Sequence, residues 1–247
     1  MTTLEHARGL LAEASRCVVL TGAGISAESG VPTFRGDGGL WKSYRAEDLA
    51  TPEAFERDAR LVWEWYGWRR EIVRKCAPNA AHVAIAHLAA RRNGVTIATQ
   101  NVDGLHRTAD MPADALIELH GSLFRVRCTR CSWRDVHRDP IDASSMATLP
   151  RCARCDALAR PYIVWFGEQL ESANIERAFA DAEAADVCLV IGTSGVVQPA
   201  ASLASVTKRA GGAVIEINPV DTPITSIATI AIRGTAVDAV PRIVVGG

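Results

Sequence analysis

Six short apolar runs constrain the fold of this chain more than any other feature. They occupy residues 17–21, 95–99, 116–119, 187–192, 214–217 and 229–232. Runs this short and this apolar fit strands buried on both faces, as in a parallel sheet. Helical periodicity lies between several of them, at 79–92, 172–185 and 198–210. The first 15 residues also place Leu4, Ala7, Leu10, Leu11 and Ala14 on one helical face. Strands alternating with helices predict an α/β fold, a doubly wound Rossmann-like parallel sheet.

Two stretches break the alternation. Residues 42–77 carry aromatic and charged residues with helical periodicity, and residues 122–161 are rich in Arg and Cys. Together they predict a smaller inserted domain made of a zinc ribbon and a helical module. The larger domain is then discontinuous, covering 1–41, 78–121 and 162–247.

Composition excludes several classes. With 48% hydrophobic and 22% charged residues among 247, the chain is neither disordered nor a coiled coil. Lys+Arg at 27 against Asp+Glu at 28 leaves no global basic field, so nucleic acid is not the expected partner. No apolar run approaches the roughly 18 residues of a spanning helix. The first residues show no basic start followed by an apolar stretch, so no secretory signal is read and a cytoplasmic location is expected. A monomer is the default expectation.

Four of the 7 cysteines form the pairs Cys128-x-x-Cys131 and Cys152-x-x-Cys155. In a reducing compartment that spacing fits one tetrahedral zinc. Four thiolates leave no ligand position for water, so the site is structural. A redox pair and a nucleic-acid-binding ribbon are the rival readings. Arg125, Arg127, Arg130, Arg134, Arg138, Arg151, Arg154 and Arg160 lie around it, but the only interleaved aromatic is Trp133.

Gly22-Ala23-Gly24-Ile25-Ser26-Ala27 follows the first run and satisfies G-x-G-x-x-[G/A], the dinucleotide fingerprint. There Gly22 allows a tight turn and Gly24 lets backbone N–H groups near a pyrophosphate, with the next helix N-terminus favouring its charge. Alone, the pattern fits an ordinary strand-to-helix turn equally well. The acidic residue expected about 20 positions on, to hold a ribose, is missing. Position 41 is Trp, and the loop runs on as Glu28-Ser29-Gly30-Val31-Pro32-Thr33-Phe34-Arg35-Gly36. That argues against a hydride-transfer dehydrogenase and for a longer cover over the cofactor.

The stretch from Gly22 to Gly36 resembles the signature loop of the sirtuins, NAD-dependent protein lysine deacylases. So do residues 99–106, residues 118–122, the two Cys pairs, Arg160-Pro161 with residues 164–168, residues 192–194 with Pro199-Ala200, and Ile217-Asn218. The blocks occur in family order over most of residues 17–220.

The resemblance implies an enzyme, two bound species and a set of roles. NAD is consumed as a cosubstrate, one structural zinc is held, and acyl-lysine-bearing proteins are the partners. The acyl oxygen attacks the anomeric carbon, nicotinamide leaves, and His120 accepts a proton from a ribose hydroxyl. Water then gives free lysine and O-acyl-ADP-ribose. His120 suits a base, since it closes an apolar run and an imidazole titrates near neutrality. Read from the residue alone, it could equally bond a backbone carbonyl. Asn101 is assigned to catalysis beside it. Gln100, Asn101 and Asp103 are placed at the nicotinamide end, where amides and a carboxylate can grip a carboxamide and ribose, although Asx capping is the plain alternative. Phe34 blocks the reactive carbon, Arg35 orders phosphates or ribose, and Asn218 meets the adenosine ribose. Gly22, Ala23, Gly24, Ile25, Glu28, Thr33, Trp41, Val102, Gly192, Thr193, Ser194, Pro219 and Ala236 complete the NAD site by the same resemblance. Val164, Trp165, Phe166 and Gly167 are placed against the substrate peptide, as an edge to which it adds as a strand. His106 is read as ordering its loop, and His82 as a plain helix residue.

Tyr66 and Arg69, three apart in Trp63-Glu64-Trp65-Tyr66-Gly67-Trp68-Arg69-Arg70, share a helix face. A phenol and a guanidinium can bind a terminal carboxylate together. This Tyr-x-x-Arg resembles the pair in sirtuins that remove succinyl, malonyl and glutaryl groups. A desuccinylase and demalonylase is therefore expected, with acetyl also accepted. An amphipathic helix with Arg69 paired to Glu64 or Glu71 is the plain alternative. Mainly acetyl removal and protein ADP-ribosylation are the alternative activities.

Overall fold

The computed structural model describes residues 2–32 and 44–244. Nine strands are described: β1 (Cys17–Thr21), β2 (Val95–Thr99), β3 (Leu116–Glu118), β4 (Gly121–Cys128), β5 (Arg134–Val136), β6 (Ala159–Ile163), β7 (Val187–Ile191), β8 (Ala213–Ile217) and β9 (Ile230–Ile232). The α-helices are α1 (Thr3–Glu13), α2 (Ala46–Leu49), α3 (Pro52–Arg57), α4 (Ala59–Arg74), α5 (Ala80–Arg91), α6 (Leu105–Thr108), α7 (Ser172–Glu183), α8 (Ser202–Arg209) and α9 (Ala236–Val244).

Six strands form one sheet in the order β3-β2-β1-β7-β8-β9, and every pair in it is parallel. Every residue of β1, β2 and β7 is buried, which explains their unbroken apolar character. Alternate side chains enter two cores. Val19, Ile97 and Leu189 pack with Leu11, Ile85 and Val240 of α1, α5 and α9. Leu20, Ala98 and Val190 pack with Ala178, Ala182 and Leu203 of α7 and α8. The sheet is thus covered on both faces, as the sequence alternation predicts.

The chain winds outward from β1 to β3 on one side, then returns to β7 beside β1 and winds out the other way. The order reverses between β1 and β7, and such a switch point opens a crevice at the carboxyl ends of the strands. Thr21 pairs with Thr99 and with Ile191, Thr99 with Glu118, and Ile191 with Ile217. Five loops therefore leave the sheet at one level.

A second, three-stranded antiparallel sheet has the order β5-β4-β6. Its core joins Leu49, Phe55, Val62, Trp63, Trp65, Tyr66 and Val73 to Leu123, Val126, Ala159, Ile163 and Trp165. Helix α4 starts at Asp58, whose side chain accepts from Leu61 N at 3.0 Å. Its residues 59, 62, 63, 66, 70 and 73 form a buried stripe at helical spacing, and Trp65 is buried beside it. Trp63 Nε1 donates to Ala159 O at 3.0 Å and ties that stripe to β6. Arg70 is fully buried in it, its guanidinium lying over the Trp63 ring at 5.3 Å. Among the described residues, no helix is long and apolar enough to cross a membrane.

Candidate active site

Gly22 and Gly24 follow β1, and Gly192 and Thr193 follow β7, so the two loops meet across the switch point. A Cβ on Gly24 would lie 2.7 Å from Gly192 Cα, and one on Gly22 would lie 2.8 Å from Thr193 Cα. Gly192 itself has φ +58°, in the left-handed region. Glycine is needed here for backbone-to-backbone packing. This corrects the fingerprint expectation in one respect. Gly22 N donates to Ile191 O at 3.1 Å and Gly24 N to Gly192 O at 2.8 Å, so these two amides are already spent inside the protein. The helix after β1 also differs: residues Ala23–Ser29 form a 3₁₀ helix ending at Gly30, too short for a strong dipole.

Beside this contact lies a buried polar cluster. Ser26 Oγ donates to Asp103 Oδ2 at 2.8 Å. Asn101 Nδ2 donates to Gly22 O at 3.1 Å and to Ser26 Oγ at 3.2 Å. His82 Nε2 lies 3.4 Å from the same Ser26 hydroxyl. Asp103 Oδ1 accepts from Leu105 N at 2.9 Å, just before α6, whose N-cap is Gly104. Burial pushes the Asp103 carboxyl up, against these hydrogen bonds and the nearby Arg69 charge. Gln100 reaches the other way, donating from Nε2 to Thr193 Oγ1 at 2.9 Å. The hydrogen bond from Leu105 N to Asp103 is of the Asx type considered as the plain alternative for these residues.

Sequence reasoning missed Ser26 and His82 as members of this cluster, and Thr21 and Thr99 beneath it. Thr21 Oγ1 donates to Thr99 Oγ1 at 2.8 Å and contacts His106 Nε2 at 3.0 Å. Two threonines ending neighbouring apolar runs were the available signal. His82 and His106 stack edge-on at 4.9 Å, both fully buried or nearly so. Desolvation pushes their pKa values down to about 4 and about 3, so both are neutral at physiological pH.

His120 stands just after β3, with Nδ1 3.0 Å from Gln100 O. A carbonyl only accepts, so Nδ1 carries the hydrogen and the Nε2 lone pair is left available. The backbone bond considered as the plain alternative is present, and it sets the tautomer that a base requires. Burial holds the imidazole below its ordinary 6.5, opposed by the Gln100 bond.

The remaining expected residues are distributed around the same sheet end. Ala23, Val102 and Ser194 are half-buried, Glu28 and Pro219 are exposed, and Ile25 and Ala236 are buried in the core. Asn218 is buried and donates to Val220 O at 2.8 Å. Thr33, Phe34, Arg35 and Trp41 lie outside the described residues. In the expected peptide segment, Val164 N donates to His120 O at 3.0 Å. Phe166 is 55% exposed, whereas Trp165 is 2% exposed with its side chain inside the small core. Trp165 therefore does not present its ring to the surface.

Tyr66 is 1% exposed, and its hydroxyl accepts from Trp165 Nε1 at 2.9 Å. The Arg69 guanidinium lies 5.0 Å from the Trp65 ring and 5.7 Å from the Tyr66 ring. Burial lowers the Arg69 pKa, countered by Tyr66 and by Asp103. The electrostatic link to Asp103 ties this pair to the strand-end cluster.

The four expected metal cysteines converge. Sγ of Cys128 and Cys155 are 3.5 Å apart, those of Cys131 and Cys152 3.6 Å, and all four lie within 4.8 Å of one another. Tetrahedral zinc with Zn–S near 2.3 Å requires S···S of about 3.8 Å. The four sulfurs are positioned to bind a zinc ion.

The comparisons with known proteins agree with this geometry. The profile described as "Sir2 family" matches residues 22–199. A Thermococcus kodakarensis protein named NAD-dependent protein deacylase is 51% identical over 243 residues, covering 97% of this chain and 94% of the relative. One of the same name from Pyrococcus furiosus is 50% identical over 237 residues, covering 95% and 94%. A solved Sir2 homologue in complex with NAD superposes with a TM-score of 0.91 at 48% identity, covering 97% of this chain and 92% of that one. A Sir2 bound to a p53 peptide and NAD gives 0.86 at 32% identity, covering 98% and 97%. This chain belongs to the Sir2 family. It is a Sir2 enzyme with the Rossmann-like sheet, the NAD crevice and a four-cysteine cluster fit for zinc.

Proposed function

We propose that the NAD-dependent deacylase activity of this protein prefers lysine acyl groups ending in a carboxylate, succinyl and malonyl above all. The observation that carries this reading is the buried Tyr66 side chain with the Arg69 guanidinium 5.7 Å from its ring, one helical turn apart on α4. A phenol donor and a planar guanidinium match a carboxylate in geometry and charge.

In this reading, NAD lies across the switch point as a substrate. Gln100, Asn101 and Asp103 hold its nicotinamide end, and Asn218 meets the adenosine ribose. Acyl oxygen attack at the anomeric carbon releases nicotinamide. His120 Nε2 then takes the proton of a ribose hydroxyl as that hydroxyl adds to the acyl carbon. The protein substrate lies along residues 164–167, where main-chain pairing gives weak sequence preference.

Arg69→Met tests the assignment. Removing one partner from a buried carboxylate costs about 2–5 kcal/mol. The expected result is a loss of about thirtyfold or more in kcat/KM for a succinyl-lysine peptide, with a much smaller loss for the matched acetyl peptide. Equal losses for both peptides refute the carboxylate role.

A further inference from the structure

The hydrogen bond between Trp165 and Tyr66 has only one possible polarity. An indole nitrogen donates and never accepts, so the Tyr66 oxygen is the acceptor at 2.9 Å. A phenol has one hydrogen, and it must then point elsewhere. Among the described residues, none accepts it. Burial pushes the Tyr66 phenol up to about 12, so the hydrogen stays on at physiological pH. Tyr66 is therefore a donor awaiting an acceptor, next to the Arg69 guanidinium on the same helix face.

Trp165 is itself held from several sides. Its backbone N–H donates to Glu168 Oε2 at 2.9 Å. Glu168 receives Arg160 Nη1 at 2.7 Å and Nη2 at 2.6 Å. The Arg160 guanidinium lies 3.7 Å from the Trp165 ring centroid, and Phe55 packs on that ring at 5.5 Å. The neighbouring Phe166 faces out, with its N–H on Ala50 O at 2.9 Å. The surface segment and the acyl helix are thus joined through one fixed indole.

We propose that Trp165 is a positioning residue for acyl specificity: its indole N–H occupies an acceptor lobe of Tyr66 Oη and so directs the phenol hydrogen to the acyl carboxylate. This rests on the reading that Tyr66 and Arg69 bind such a carboxylate. Without the indole donor, the hydroxyl is free to rotate and the aligned donor is lost.

The test is a double-mutant cycle of Trp165→Phe and Tyr66→Phe, read as the ratio of kcat/KM for matched succinyl- and acetyl-lysine peptides. Trp165→Phe keeps an aromatic ring and removes the N–H. The expected result is a fall in the ratio of about three- to tenfold, carried mainly by KM for the succinyl peptide. In the Tyr66→Phe background, Trp165→Phe should change the ratio no further. A ratio unmoved by Trp165→Phe, or one that falls equally without the phenol, overturns the proposal. Should Trp165→Phe fail to fold, the wild-type Trp165 indole N–H resonance decides. It should shift on binding succinyl peptide and not acetyl peptide, and equal shifts for both overturn the proposal. Arg69→Met separates the two levels. If it collapses the ratio while Trp165→Phe does not, only the Trp165 role falls. If neither moves it, the carboxylate reading falls and this role with it.

Discussion

His120 Nδ1 lies 3.0 Å from the carbonyl oxygen of Gln100, across the ends of the neighbouring strands β2 and β3. The bond leaves the hydrogen on Nδ1 and the lone pair on Nε2. It also ties the imidazole to the loop that carries Asn101 and Asp103.

The pH profile follows from this environment. Burial lowers the His120 pKa below 6.5, so the neutral, proton-accepting form persists to lower pH than for a free imidazole. Activity should hold through pH 6.5 and be lost as pH falls through the lowered pKa. His120→Gln should reduce kcat by about 10²–10⁴-fold and remove that acid limb from the residual rate. Steady-state kinetics from pH 5 to 8 check this, and an acid limb centred above 7 contradicts it.

Gly24→Ala tests the contact at the switch point. Its Cβ would sit 2.7 Å from Gly192 backbone, which has no flexible side chain to move aside. The substitution should destabilise the fold by about 1–3 kcal/mol and raise KM for NAD. Thermal unfolding and NAD titration check both. An unchanged Tm with unchanged KM contradicts the packing argument.

His82 and His106 give a second, structural pH dependence. Their folded pKa values, about 4 and about 3, lie below the ordinary 6.5. The unfolded chain therefore binds protons first, and stability rises with pH across that interval. Stability should be complete above 6.5 and fall by roughly 2–5 kcal/mol by pH 4.5. His106→Gln should flatten the slope of Tm against pH between 6.5 and 4. An unaltered slope contradicts the assignment.

Much of the scaffold was legible in the sequence because it rests on local patterns. β1, β2 and β7 are buried on both faces, so their apolar runs declared them. The helical period at 79–92 delivered α5 (Ala80–Arg91) nearly whole. The paired cysteines announced themselves by spacing. The rest depends on contacts between distant residues. Ser26 meets Asp103 across 77 positions, and Trp165 meets Tyr66 across 99, which no periodicity reports. The 3₁₀ helix after β1 also escaped prediction, as did the contact of its Gly24 with Gly192, far away in sequence. Within the segment read as a backbone edge for the peptide, Trp165 points inward and Phe166 outward, since successive residues of an extended segment face opposite ways.

In the proposed reading, NAD cleavage and acyl-lysine binding share one pocket, with Tyr66 and Arg69 recognising the acyl carboxylate. The decisive assay incubates the purified protein with NAD and matched acetyl-, malonyl- and succinyl-lysine peptides, and follows nicotinamide release with product masses. Peptide-dependent nicotinamide release is expected, with equimolar O-acyl-ADP-ribose and free lysine, and the highest kcat/KM for succinyl or malonyl. No release with any peptide, ADP-ribose transferred to the peptide instead, or an acetyl preference would contradict it.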